Sequence, residues 1–319
     1  MKTPAKKIGF ALRRRVVMTL ALAVAAAGTA LIRSAPAQAQ AGSAAEKIII
    51  SGASGNLGSL TVKELLARGV PASRLILVSR TPEEQKEYAD MGASVRFGDF
   101  TKPESLPAAY AGGTRMLLIS VGGDAQTPAA VLLKRAIDAA KAAGVKQIAY
   151  TSYVGITRGD VAGRAADHKQ AEDALKASGV AWTMLRNSIY MDGLIRQAAA
   201  MVSTGKAEVP PNEFPIGYIS RADCAAAAAA VLTTPGHDNK AYDITGPELL
   251  GVKETAAAAS AVTGKKIDVV PASPNGRPGF GREAMAFTTS HFKDLTGREP
   301  TSVRALFEAN KGALLGAAK

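Results

Sequence analysis

The feature that most constrains this chain is a set of glycines placed between an apolar run and a helical one. Lys47–Ser51 (KIIIS) reads as a short buried strand. Gly52-Ala53-Ser54-Gly55-Asn56-Leu57-Gly58 follows at once, with the spacing G-x-x-G-x-x-G. A helical pattern then runs from about Asn56 to Arg68 and stops at Gly69 and Pro71, as expected beyond a helix C-terminus. Gly52 permits a tight turn, Gly55 lets backbone approach a phosphate, and Gly58 lets helix and strand pack closely. Such a strand–loop–helix unit aims backbone N–H groups at a pyrophosphate, so the stretch from Gly52 to Gly58, with Ala53, Ser54, Asn56 and Leu57, is a candidate dinucleotide loop.

The rest of the chain repeats this alternation. Arg74–Ser79, Ser94–Phe97, Arg115–Ser120, Lys146–Thr151 and Trp182–Arg186 read as further strands, with helices expected over Pro128–Ala143 and Arg164–Ser178. Strands that are apolar throughout and separated by helices imply a parallel sheet covered on both faces. The expected fold class is therefore α/β: a Rossmann-type doubly wound parallel sheet over residues 46–190. A small C-terminal α/β substrate subdomain sharing that sheet is expected over 191–319. There, helices are expected near Ala222–Leu232 and Lys253–Val262 and strands at Ala241–Ile244 and Ile267–Val270, with Ser273–Gly281 as a loop.

The formal net charge of +12 suggests nucleic acid until it is located. Residues 1–41 hold seven basic side chains and no acid, so only +5 belongs to the remaining chain. No basic stripe interleaved with aromatics is present, which argues against a nucleic-acid partner. The basic stretch Arg13-Arg14-Arg15, the apolar run Val16–Ile32 and the Ala-x-Ala pattern at Ala35–Ala41 read instead as a cleavable export signal over 1–41. The apolar run of 17 residues is at the lower limit for a bilayer core of about 30 Å, so no membrane span is expected after cleavage. The expected location is periplasmic, by the twin-arginine route or the ordinary secretory one. The single cysteine, Cys224, excludes an intrachain disulfide and reads as a buried small apolar residue. The three histidines lack metal-ligand spacing, and no metal is expected.

Cofactor choice rests on the end of the second strand. Ser79-Arg80 stands where a protein selective for NADH usually carries an acid for the ribose hydroxyls. Arg80 can pair with a 2′-phosphate, which favours NADPH over NADH. Asp99, in Gly98-Asp99-Phe100, suits either an adenine contact or a plain turn.

The stretches GASGNLG, LVSRTPE, GASVRFGDF, AAKAAGVKQIAYTS and HKQAEDALKASGVAWTMLRNSIY resemble the NmrA-like, atypical short-chain dehydrogenase/reductase family, in particular its NAD(P)H:quinone oxidoreductase type 2 branch. The resemblance spans about Glu46–Asp243 and resumes at His291–Asn310. It implies a cofactor lying over Gly52–Leu57 with Arg80 near the adenosine phosphate. Ser120, Val121, Thr151, Ser152 and Tyr153 would approach ribose and nicotinamide. Asn187 would position the carboxamide, and Tyr190 would stack on or hydrogen-bond a bound ring.

Two departures from the family stand out. The Tyr-x-x-x-Lys pair is absent, since Thr157 stands four residues after Tyr153. His168 occupies the place of a lysine in related reductases. It could donate a proton near neutral pH, hydrogen-bond ribose, or face solvent. The second departure is a shortening between Pro271 and Ala286, where relatives carry a helical insert over the substrate cleft.

The implied function is NADPH-dependent hydride transfer to a quinone or similar conjugated carbonyl, with His168, Tyr190 and Asn187 as candidate catalytic residues. An electrophilic acceptor needs little beyond an oriented hydride donor. A non-catalytic NADP-sensing protein is the alternative, and a nucleotide-sugar epimerase is a third reading disfavoured by the missing Tyr/Lys pair. The assembly stays open, a homodimer being one option.

Overall fold

The computed structural model describes residues 46–124, 126–159, 161–273 and 283–316. The export signal expected over 1–41 and most of the loop expected at 273–281 lie outside the described residues. No helix among the described residues is long and apolar enough to cross a membrane.

The chain builds strand β1 (Ile48–Ser51), helix α1 (Asn56–Ala67), β2 (Leu75–Ser79), α2 (Lys86–Asp90), β3 (Ser94–Phe97), α3 (Leu106–Tyr110), β4 (Arg115–Leu118) and α4 (Ala129–Ala142). Then come β5 (Gln147–Tyr153), α5 (Arg164–Ala177), β6 (Ala181–Asn187), α6 (Leu194–Thr204), β7 (Lys206–Val209), α7 (Arg221–Thr233), β8 (Lys240–Ile244), α8 (Val252–Thr263) and β9 (Asp268–Pro271). Three short helices follow among the described residues: α9 (His291–Thr296), α10 (Val303–Ala309) and α11 (Lys311–Leu314). Seven strands form one sheet in the order β3-β2-β1-β4-β5-β6-β8, every neighbouring pair parallel. The order reverses between β1 and β4, and the glycine loop leaves the sheet at that switch point, where open α/β sheets bind ligands.

Alternation along the central strands explains why they are apolar throughout. Ile48 and Ile50 enter one core with Val62 and Leu65 of α1 and the alanines of α7. Ile49 enters the other, with α3, α4 and α5. Each strand is buried on both faces, as a parallel sheet demands. Helix α7 is covered from Asp223 to Leu232. Its run of alanines lets it lie between the sheet, α1 and α9 with no large side chain intervening.

Boundaries differ most at the carboxyl end of the sheet. Strands β5 and β6 outrun their apolar cores because Thr151, Ser152 and Tyr153 pair with Leu185, Arg186 and Asn187. Strand β4 stops at Leu118, two residues short of the sequence expectation. Helices α2, α3, α6, α9, α10 and α11 and strand β7 add to the elements read from the sequence. After Tyr190, α7 and β8 join the main sheet and its layers. A smaller core gathers Met191, Leu194, Ala259, Val303 and Phe307 beside a two-stranded parallel sheet of β7 and β9.

Candidate active site

The glycine loop is held from below by β2. Gly52 has φ +96°, and its N–H and that of Ala53 both donate to the Val78 carbonyl at 2.9 and 3.0 Å. A Cβ on Gly58 would lie 2.2 Å from the Gly52 carbonyl oxygen, so only glycine lets α1 come this close to the turn. Gly55 differs: a Cβ there would meet only the Gly52 oxygen at 3.4 Å, an ordinary contact. It caps α1 with no side-chain hydrogen bond, and the first turn of the helix carries no acid. The helix N-terminus is thus open to an anion.

Ser54, Gly55, Arg80, Asp99, Ser120 and Val121 line one cleft of ≈ 480 Å³ above the switch point. Arg80 is exposed and makes no hydrogen bond or ion pair with the described residues, so its guanidinium is available to a phosphate. Asp99 is partly engaged. Its Oδ1 accepts from the Thr101 N–H and hydroxyl at 2.9 and 2.8 Å, which is the turn role weighed from the sequence. Thr151 sets Ser120: its hydroxyl oxygen accepts from the Ser120 N–H at 2.9 Å. Ala53, Leu57 and Gly58 are buried beneath the loop, and Asn56 is exposed at the helix start.

Beyond Val121–Gly123 lies a second cavity of ≈ 270 Å³, lined also by Leu133, Arg164, Asp167 and His168. His168 is 8% exposed. Its Nδ1 is 2.8 Å from the Tyr150 hydroxyl, and its ring stacks on Tyr153 at 5.6 Å between centroids. Burial first, then the Arg164 charge, push the imidazole down to about 4, against the opposing pull of Asp167 and Glu172. A proton-donating imidazolium near pH 7 is therefore not what this environment supplies; desolvation holds the ring neutral. An unfolded chain would bind a proton near pH 6.5 that the folded chain refuses until about pH 4. Stability is thus complete above about 6.5 and falls as pH drops toward 4, by about 3 kcal/mol from this residue. Urea unfolding at pH 7 and pH 4.5 should show this loss, and His168→Gln should remove that share of it.

Ser152, expected near the ribose, faces elsewhere. Period-two alternation turns it with Tyr150 toward α5, where its hydroxyl donates to Glu172 Oε1 at 2.7 Å. Arg186 reaches the same carboxylate from β6, Nε to Oε1 at 2.8 Å and Nη2 to Oε2 at 2.7 Å. Burial alone would raise the Glu172 pKa, but the hydrogen bonds from Arg186 and Ser152 outweigh it and hold the carboxyl below its usual range. The sequence reading missed this pair. An acid on the buried face of a polar helix, four residues after His168, was the signal.

Asn187 and Tyr190 sit on the other face of the sheet. Tyr190 packs against the core formed with α1 and α7, and the Arg221 guanidinium lies 4.7 Å from its ring centroid. Burial, then the neighbouring Cys224, push its hydroxyl well up, with the Asn187 amide beside it. Asn187 is buried, and its Oδ1 has no hydrogen-bond partner among the described residues. Neither residue is among those that line these two cavities; His168 faces the second one from α5, on the other side of the sheet. Cys224 is buried on α7 and its thiol is raised by desolvation, as befits a packing residue. The described end of the shortened segment packs against the chain after β5. Met285 packs with Val154 and Ile216, and the Arg158 guanidinium lies 3.6 Å from the Phe287 ring centroid.

Comparison with known proteins agrees with this geometry. A family model described as NAD(P)H-binding matches residues 52–235, more than half of the chain. Quinone oxidoreductase 2 of Escherichia coli (strain K12) is 34% identical over 220 residues, covering 69% of this chain and 76% of that protein. The NAD(P)H azoreductase of Xenophilus azovorans is 32% identical over 227 residues, covering 70% and 76%. Among solved structures, the Citrobacter sp. triphenylmethane reductase complexed with NADP(H) superposes with a TM-score of 0.74 at 30% identity, over 85% of this chain and 100% of that one. With the glycine loop at the switch point of a parallel sheet, these matches establish that the chain belongs to the NAD(P)H-binding family, among its NmrA-like oxidoreductases.

Proposed function

We propose that this protein is an NADPH-dependent oxidoreductase that delivers a hydride to a quinone or similar conjugated carbonyl. The observation that carries the reading is the Arg80 guanidinium, unpaired among the described residues, in one cleft with the Gly52–Gly55 turn. The cleft fits a dinucleotide phosphate: the cradle under Gly58 admits no side chain, and the α1 N-terminus has no cap of its own. Gly52–Gly55 would hold the pyrophosphate, Arg80 the 2′-phosphate, and Ser120 and Val121 the ribose beyond. Bound NADPH supplies the hydride. The protein's part is then to orient, to exclude water, and to place His168 beside the second cavity. An intrinsically electrophilic acceptor asks for little more, which suits a site with Thr157 where a Tyr-x-x-x-Lys pair would place lysine.

Steady-state oxidation of NADPH against a series of quinones, azo dyes and triphenylmethane dyes tests the reading. Turnover of at least one class is expected. Tight NADPH binding with no turnover would favour the non-catalytic NADP-sensing alternative, to which the missing Tyr/Lys pair lends support. For cofactor choice, wild type should bind NADPH more tightly than NADH. Losing one charge-assisted phosphate contact in Arg80→Ala costs about 1.5–3 kcal/mol, so the preference should shrink about 10- to 150-fold. Titration of both cofactors into both proteins measures this. A wild type without preference, or an Arg80→Ala variant that keeps it, would remove Arg80 from the site.

A further inference from the structure

His168 is fixed on three sides by the protein. Nδ1 faces the Tyr150 hydroxyl at 2.8 Å, one ring face lies along Tyr153, and the backbone belongs to α5. Tyr150 is wholly buried in the middle of β5, and burial, then the charges of Glu172 and Asp167, drive its pKa far up, so it keeps its proton. A buried phenol must donate that proton to something, and Nδ1 is its hydrogen-bond partner among the described residues. An Nδ1 that accepts leaves the ring proton on Nε2. Nε2 has no protein partner among the described residues, and His168 lines the second cavity.

We propose that Tyr150 is a positioning residue that locks His168 as the neutral Nε2–H tautomer, so that His168 serves acceptor reduction as a fixed hydrogen-bond donor to the carbonyl oxygen and not as an acid. This rests on the oxidoreductase reading above. When a conjugated carbonyl accepts hydride, negative charge collects on its oxygen, and a preorganised donor at that oxygen stabilises the transition state without transferring its proton. The acceptor gains a hydride from NADPH and one proton from water; His168 supplies neither. The charged and titratable groups around the ring agree with a neutral form. Arg164, Asp167 and Glu172 lie on its own helix and Tyr150 and Tyr153 on β5. The cavity wall opposite, Val121, Gly122, Gly123, Ala129 and Leu133, carries no charge.

The test uses the full protein and reads the ring directly, by long-range ¹H–¹⁵N spectra of the histidine nitrogens, with His168→Gln assigning the signal. In wild type that ring should show the Nε2–H pattern and no titration between about pH 5.5 and 8. Tyr150→Phe keeps the buried ring and removes only the hydroxyl. It should mix the tautomers and lower kcat about tenfold, while KM for NADPH changes less than about twofold. His168→Leu should lose about 100-fold in kcat, and His168→Gln, which keeps an N–H donor, should recover most of it. An Nδ1–H pattern, a ring titrating near its ordinary pKa, or a Tyr150→Phe variant with unchanged tautomer and kcat would overturn the proposal. A locked ring in a protein that binds NADPH but turns over no acceptor would overturn the oxidoreductase reading and with it the donor role, leaving only the effect of Tyr150 on the tautomer. Turnover with a titrating ring would overturn the proposal alone.

Discussion

Arg186→Leu is expected to destabilise the protein by about 3–5 kcal/mol, the usual cost of stranding one member of a buried ion pair. Glu172 is fully buried and receives two charge-assisted bonds from Arg186, at 2.8 and 2.7 Å. What would remain is the Ser152 hydroxyl at 2.7 Å and Lys176 at 3.6 Å, too little for a carboxylate out of water. The Glu172 pKa should then climb, and the deficit should narrow as pH falls and the carboxyl protonates. Replacing both partners by leucine removes the stranded charge, so the double variant should be more stable than either single one. Denaturant melts of the four proteins at pH 7 form the cycle. A cost for Arg186→Leu below about 1 kcal/mol would mean that the pair is solvated in solution. The pair also ties α5 to the ends of β5 and β6, one helical turn beyond His168. Loss of Arg186 should therefore lower turnover more than it weakens NADPH binding.

The contrast between these two carboxyl-end strands and the centre of the sheet shows what the sequence makes legible. Ile48–Ile50 and Leu75–Val78 are apolar on both faces because helices cover both faces, and no other local structure explains such short runs bounded by turns. At Thr151–Tyr153 and Arg186–Asn187 the strands continue as polar residues. Apolar patterning ends there while hydrogen-bonded pairing does not. The glycine loop was readable for a similar reason. What Gly52 and Gly58 require is local: a positive φ and a close approach within one loop. The residues at the carboxyl ends of β5 and β6 depend on which face a side chain takes. Arg186 turns to α5 with Met184, and Asn187 follows Leu185 toward α1 and α7. Strict alternation along β6 carries that information, but only once the strand is known to reach Asn187. Tyr190 and His168 are near one another in no sequence sense, and their separation onto two faces is a tertiary fact.

Gly55→Val and Gly58→Val should both abolish NADPH binding, and they should do so by different physics. At Gly55 the backbone has φ −72° and ψ 164°, and a Cβ meets only one ordinary contact. The protein alone therefore tolerates a side chain there, and the melting temperature should stay close to wild type. The penalty falls on the ligand, because a branched side chain would stand where the phosphate approaches the α1 N-terminus. Losing two or more charge-assisted hydrogen bonds of about 1.5–3 kcal/mol each should weaken NADPH by at least about 100-fold. At Gly58 the clash lies within the protein. Its Cβ would sit 2.2 Å from the Gly52 oxygen and 2.8 Å from the Ala53 Cα, both backbone atoms of a turn pinned to Val78. Neither can yield as a flexible side chain could, so α1 must shift away from the sheet at its first turn. Overpacking of this kind costs about 1–3 kcal/mol, and the displaced turn loses the phosphate as well. Gly58→Val should thus melt several degrees lower in addition to losing NADPH. Thermal melts and cofactor titrations on both variants separate the cases. A Gly55→Val protein that folds and still binds NADPH would show that this loop is a turn and nothing more. A Gly58→Val protein with wild-type stability would show that α1 does not approach the loop as closely as its glycine permits.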